Sequence, residues 1–235
     1  MNPTTKSRRQ LEGIVIHLRN YGESHRIVEL LTPELGRISL LARGARKSRR
    51  RFAGALDLFV SLRVNVTCGR GLWTLDSADI LDLRIGLRSR LDSISRASLL
   101  CDCARALSAE HSEAQGVSVA LAFGLDCLCH GEILLATRAF PLMLIAEGIL
   151  PELERCSACG GSLDDGARID PVGANTRCLR CDQYNRLVGP AVLDALRQQG
   201  CDDQSVATQL ESEVVVWIEA HTGRSLRSAS VDILS

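Results

Sequence analysis

Aromatic residues make up only 3% of this 235-residue chain: four Phe, two Trp and two Tyr. Barrels that hold single strands by base stacking need several exposed rings. Any nucleic-acid contact here is therefore expected to be mainly electrostatic and indifferent to sequence. Net charge is also missing: 28 Lys+Arg face 28 Asp+Glu, which argues against a diffusely basic protein. Long apolar runs are absent. The longest, Ala139–Leu150, is interrupted by Pro141 and Glu147, so no membrane span is expected. The N-terminus, MNPTTKSRRQ, is basic but leads into no apolar segment, and no secretory signal is expected. Catalytic signatures are lacking too, with no G-x-S-x-G, H-E-x-x-H or G-x-G-x-x-G. The five His are scattered, and Asp164-Asp165 and Asp202-Asp203 read as loop acids and helix-start signals. Nothing assembles a mechanism, and the expectation is a protein that is not an enzyme.

What is present begins with a 46% apolar content, ample for a core, and ten cysteines. Without a signal sequence those cysteines read as buried thiols plus a metal site in a reducing cytoplasm, not as disulfides. The zero net charge conceals an asymmetry. Residues 1–90 carry 17 Lys/Arg against 8 Asp/Glu, and residues 91–235 carry 11 against 20. The first part suits a polyanion; the second suits protein partners or solubility.

Hydrophobic periodicity divides the chain into residues 1–82, a small antiparallel β-barrel, and residues 83–235, a helical domain with an insert at 153–184. Strands are expected at Gly13–Arg19, His25–Thr32, Arg37–Ala42, Leu58–Thr67 and Leu72–Leu75, the last followed by a strand or bend through Leu81. Pro33-Glu34-Leu35-Gly36 is the turn of a hairpin. In Leu58–Thr67 the apolar Leu58, Val60, Leu62, Val64 and Val66 alternate with Phe59, Ser61, Arg63, Asn65 and Thr67. Five short strands fit a closed barrel, of OB or SH3-like type. Helical spacing then runs through Ile85–Leu107, Val117–His130 and Glu132–Ile149, where Pro141 should kink or split the last. Pro190 opens and Gly200 closes a further helix, followed by Ser205–His221.

Two motifs carry chemistry. Cys156-Ser-Ala-Cys159 and Cys178-Leu-Arg-Cys181 are two C-x2-C knuckles separated by 18 residues. Two intervening residues let one turn direct both thiolates at one ion, and two knuckles close a tetrahedral four-sulfur shell. A closed shell leaves no position for water, so one structural Zn2+ is expected. Cys101/Cys103 and Cys127/Cys129 point to opposite helix faces and read as buried small hydrophobes. The second motif is the run Arg43, Arg46, Lys47, Arg49, Arg50 and Arg51, six cations in nine residues with no acid from Arg37 to Leu56. A solvated face usually mixes signs, whereas cations alone suit a row of phosphates, so these six are the expected nucleic-acid contacts. Phe52, inside the run, reads equally as a stacking ring or as core.

Several stretches together resemble the bacterial RecO family of DNA repair proteins. They are Gly13-Ile-Val-Ile with Arg19-Asn-Tyr-Gly-Glu-Ser, Thr32-Pro-Glu-Leu-Gly-Arg-Ile-Ser, Ala42-Arg-Gly-Ala-Arg-Lys-Ser, Leu72-Trp-Thr-Leu, Leu150-Pro-Glu-Leu-Glu-Arg-Cys156 and Arg224-Ser-Leu-Arg-Ser. The resemblance implies an α+β chain: an N-terminal OB-fold barrel, then a helical domain with an embedded zinc finger. It implies a mediator of recombinational repair in the bacterial cytoplasm, associated with the nucleoid. Such a protein binds single- and double-stranded DNA, anneals complementary strands, and acts with RecR and RecF. It helps load RecA onto DNA coated with single-strand-binding protein, whose acidic tail the helical domain receives. The alternative reading is a zinc-ribbon regulator that binds duplex DNA with sequence preference.

Overall fold

A computed structural model describes residues 7–47, 52, 54–69, 71–173, 175–181 and 186–226. Five strands close a barrel: β1 (Arg8–Tyr21), β2 (His25–Thr32), β3 (Gly36–Ala42), β4 (Ser61–Thr67) and β5 (Trp73–Asp82). Their order around the barrel is β1-β2-β3-β5-β4, the OB arrangement, and closure removes every free edge. All pairings are antiparallel except β3 with β5, which meet in parallel at Leu40↔Trp73 and Leu41↔Thr74. The antiparallel expectation thus holds for four of the five seams. The long β1 serves two neighbours, pairing with β4 from Arg8↔Thr67 to Ile14↔Ser61 and with β2 from Ile14↔Leu31 to Tyr21↔His25.

Alternation places Val28, Leu30, Ile38, Leu40, Val60, Leu62, Val64, Val66 and Leu75 inside the barrel. The expected strand at 58–67 is shorter at its start. Phe59 has φ 71°, a left-handed conformation that breaks the pleat before Ser61. Its side chain stays on the face opposite Val60, as alternation expects, and is buried against the helices together with Ile14, Ile16 and Leu31. Leu58, expected on the Val60 face, packs with the helical cluster too. Phe52 lies in the barrel core at 5% exposure, which settles its two readings in favour of packing.

Beyond the barrel, a short 3-10 helix (Ile85–Ser89) precedes α1 (Leu91–Leu107), so the helical run expected from residue 85 is interrupted at Arg90. Next come α2 (Gln115–His130), α3 (Ile133–Ala136), α4 (Ala139–Ala146), α5 (Pro190–Arg197) and α6 (Gln204–Thr222). The split expected from Pro141 exists. It falls at Thr137-Arg138, which leaves Pro141 in the first turn of α4, where a missing N–H costs no helical bond. Pro190 is at the start of α5, and Asp203 caps α6 by accepting the Val206 N–H at 2.9 Å. Gly124 lets α2 sit close to its neighbours: a Cβ there would lie 2.7 Å from Leu100 Cδ1 and 2.8 Å from Ala139 Cβ. Between α4 and α5 lie three short strands, β6 (Ala167–Asp170), β7 (Asn175–Cys178) and β8 (Leu187–Val188), ordered β7-β6-β8. No helix among the described residues is long and apolar enough to cross a membrane.

The barrel and helices share buried polar joints. On β2, Glu29 is 5% exposed, and its carboxylate accepts two hydrogen bonds from Arg105 of α1, at 2.6 and 2.9 Å. Arg84, with φ 43°, donates to Asp126 Oδ1 at 2.7 Å and to Phe59 O and Ser61 Oγ at 2.8 Å each. The Pro33–Gly36 turn is bound to the α1–α2 connection by Arg37 N–H to Ala109 O (3.2 Å) and Ala114 N–H to Pro33 O (2.9 Å). Only glycine fits at position 36, where φ is 55° and a Cβ would lie 2.7 Å from Ala109 O.

Candidate nucleic-acid interface and metal centre

In oligonucleotide-binding barrels of this topology, the β2–β3 face and the loops beside it are the usual ligand surface. Here the β2 part of that face is covered, while the outward residues of β3 stay half-buried. Val28 and Leu30 point into the barrel, while their alternating neighbours Glu29 and Leu31 are buried beneath the helices. On β3, Arg37 forms ion pairs with Glu29 at 3.5 Å and Glu110 at 3.7 Å. The barrel surface near β2 that stays open is its pole, where the β1–β2 turn meets the root of the basic run.

Three of the six expected DNA contacts, Arg43, Arg46 and Lys47, are exposed at this pole. Arg49, Arg50 and Arg51 lie outside the described residues. Gly44, at φ 69°, turns the chain as it leaves β3 and donates its N–H to His25 Nδ1 at 2.9 Å. Arg46 N–H donates to Ser24 O at 3.0 Å, and its guanidinium reaches Gly22 O at 3.4 Å and Glu23 O at 3.3 Å. Arg46 thus anchors the run to the turn, a role its charge alone does not reveal. Tyr21, the last residue of β1, is 52% exposed beside this turn.

The four knuckle cysteines converge: Cys156, Cys159, Cys178 and Cys181 bring their sulfurs within 4.8 Å of one another. Local hydrogen bonds form the first knuckle, with Gly160 N–H to Cys156 O and Cys156 N–H to Gly161 O, each 2.8 Å. Gly160 supplies the left-handed step at φ 71°. The second knuckle starts at the end of β7, where Cys178 pairs with Ala167, and turns through Leu179–Cys181. Ser157 N–H to Thr176 O, at 2.8 Å, ties the knuckles together.

Donor chemistry fits zinc. Zn–S bonds of about 2.3 Å in a tetrahedron imply sulfur–sulfur edges of roughly 3.8 Å, and Cys159 Sγ and Cys178 Sγ are 3.8 Å apart. The Cys178 N–H, first among several backbone donors, holds the Cys156 thiol down to about 6. Burial opposes ionisation at Cys178, yet the N–H groups of Cys181 and Arg180 outweigh it and lower its pKa. Cys181, facing the thiols of Cys159 and Cys178, is pushed up to about 12. A cation entering this shell would displace the remaining protons. Cys101 and Cys103 lie apart from it, buried in the helical core, where burial pushes both thiols up. They are inert small hydrophobes, as the sequence suggests.

Several cations of the helical half are paired. Arg96 is ion-paired with Glu211, Arg105 with Glu29, and Arg186 with Glu213 at 2.6 Å. Arg197 donates to Leu153 O at 2.8 Å and Asp194 Oδ1 at 2.8 Å. The joints at Glu29 and Arg84 escape sequence reading, because nothing local marks a strand's outward face as covered.

Comparison with known proteins agrees with this architecture. Residues 7–84 match the family model described as "Recombination protein O N terminal". The chain is 34% identical over 228 residues to the DNA repair protein RecO of Myxococcus xanthus, covering 92% of this chain and 93% of the relative. It is 38% identical over 179 residues to that of Anaeromyxobacter dehalogenans, covering 74% of this chain and 70% of the relative. Identity with that of Symbiobacterium thermophilum is 35% over 179 residues. With the five-strand barrel, the helices behind it and nearly full-length similarity, the chain belongs to the RecO family of DNA repair proteins.

Proposed function

We propose that this protein is a recombination mediator that binds single- and double-stranded DNA without sequence preference and anneals complementary strands. The observation that carries the proposal is the acid-free cationic run rooted at the open pole of the barrel, with Arg43, Arg46 and Lys47 exposed there. Arg49, Arg50 and Arg51 extend the same run and complete the phosphate contacts. Annealing requires that the mutual repulsion of two strands be screened with little reading of bases, which clustered cations supply. The protein acts by binding and makes or breaks no bond itself. The acidic helical half repels DNA and faces protein partners.

Within the cell, the same reading places the protein in the bacterial cytoplasm, at the nucleoid. There it works with RecR, and with RecF where present, to load RecA onto DNA coated with single-strand-binding protein. Cys156, Cys159, Cys178 and Cys181 hold one structural Zn2+ that fixes the insert between α4 and α5; support comes from their mutual distances and the closed donor set. The test is annealing of complementary strands precoated with single-strand-binding protein. Annealing should be markedly faster with this protein than without it. Equal rates on coated strands with and without the protein would reject the function.

A further inference from the structure

Rings are scarce in this chain, yet one is placed where a base could use it. Among the described aromatic residues, Phe52, Phe59, Phe140 and Trp217 are buried and Phe123 and Trp73 are half-buried. Tyr21 alone is exposed, at 52%. It is the last residue of β1 and pairs across the turn with His25. The Nδ1 of His25 accepts the N–H of Gly44, between Arg43 and Arg46. Arg46 in turn donates to Gly22 and Glu23 of the turn that follows Tyr21. A short series of hydrogen bonds thus ties the turn that follows Tyr21 to the root of the cationic run. On the β2–β3 face, where other barrels of this type lay out bases, the β2 side is closed by Glu29–Arg105 and Leu31. A strand drawn in by the cations meets at the pole the exposed ring of Tyr21.

We propose that Tyr21 is a base-stacking platform that gives the cationic pole its preference for unpaired strands. The proposal rests on the DNA-binding reading and adds to it a contact that charge alone does not provide. Phosphates bound to Arg43 and Lys47 leave the adjoining base free to turn onto the ring. Duplex DNA, its bases already stacked on one another, cannot use the platform. Stacking on an aromatic side chain tolerates any base, so the preference carries no sequence readout.

The discriminating probe is a pair of strands with equal charge: a dT oligonucleotide and an abasic oligonucleotide of the same length. Wild type should bind dT about tenfold more tightly than the abasic strand, the scale of one stacked base. Tyr21→Ala should abolish this difference by weakening dT alone, and Tyr21→Phe, which keeps the ring, should restore it. If wild type binds dT and abasic strands equally, stacking is overturned while the cationic site stands. Stacking on Tyr21 is likewise overturned if Tyr21→Ala still discriminates between the two strands. Binding of neither strand, even at low salt, would instead overturn the DNA-binding reading itself.

Discussion

Replacing Glu29 with Gln removes one charge from the joint that seats the barrel on the helices. The wild-type carboxylate accepts two hydrogen bonds from Arg105, at 2.6 and 2.9 Å, and lies 3.5 Å from Arg37. Removing one partner from a buried pair costs about 3–5 kcal/mol. Arg105 keeps 33% of its side chain exposed and can turn toward water, whereas Arg37 keeps only 13%. The lower end of the range, about 3 kcal/mol, therefore applies at pH 7. For a chain of this size that is a fall in Tm of roughly 6–12 °C. The pH dependence is more specific than the size. Burial alone would raise the Glu29 pKa, but Arg105, with His17 and Arg37, brings it below the ordinary 4.5. Because the folded pKa is depressed, the stabilisation is complete above about pH 4.5 and is lost as pH falls through the folded value. Urea unfolding followed by tryptophan fluorescence should show the full gap between wild type and Glu29→Gln at pH 7. The two should converge as the solution is acidified below about pH 4.5. A gap under about 1 kcal/mol at pH 7, or one that persists unchanged on acidification, would show that the Glu29 charge does not hold the joint.

Two further perturbations probe other parts of the fold. Purified protein should carry one zinc per chain by metal analysis, and Cys159→Ser should lose it and melt earlier; zinc retained after loss of two of the four thiols would reject the site. At the α1–α6 contact, Arg96 and Glu211 are both buried, and burial raises the Glu211 pKa against the pull of Arg96. Glu211→Leu alone should cost about 3–5 kcal/mol by leaving Arg96 unpaired, while Arg96→Met with Glu211→Leu should recover most of it in the same urea titration.

Strands β2 and β3 are legible to within one residue because the Pro33–Gly36 turn between them is a local signal. The knuckles are legible for the same reason: two residues between thiols constrain a turn whatever surrounds it. Leu58 is misread because alternation assumes an extended backbone, and the left-handed φ of 71° at Phe59 breaks it, so that Leu58 packs with the helical cluster and not with Val60. The Glu29–Arg105 pair joins residues 76 apart in sequence. A charge at an outward strand position ordinarily means solvent, and nothing near Glu29 announces the helix that covers it. Arg46 illustrates the middle case. Its charge marks it for phosphate, but only the fold reveals the carbonyls of Gly22 and Glu23 within its reach.

Whether the cationic run at the barrel pole holds DNA through phosphates is decided by the salt dependence of binding. If about four phosphates are neutralised, log Kobs against log salt should fall with a slope of roughly −3 on single strands and more steeply on duplex. Replacing Arg43, Lys47, Arg49 and Arg50 with Ala leaves the Arg46 anchor in place. This change should weaken both substrates and reduce the slope to less than about half, with no new sequence preference. A quadruple variant that binds both DNAs as tightly as wild type, with an unchanged slope, would mean that the phosphates lie elsewhere on the protein.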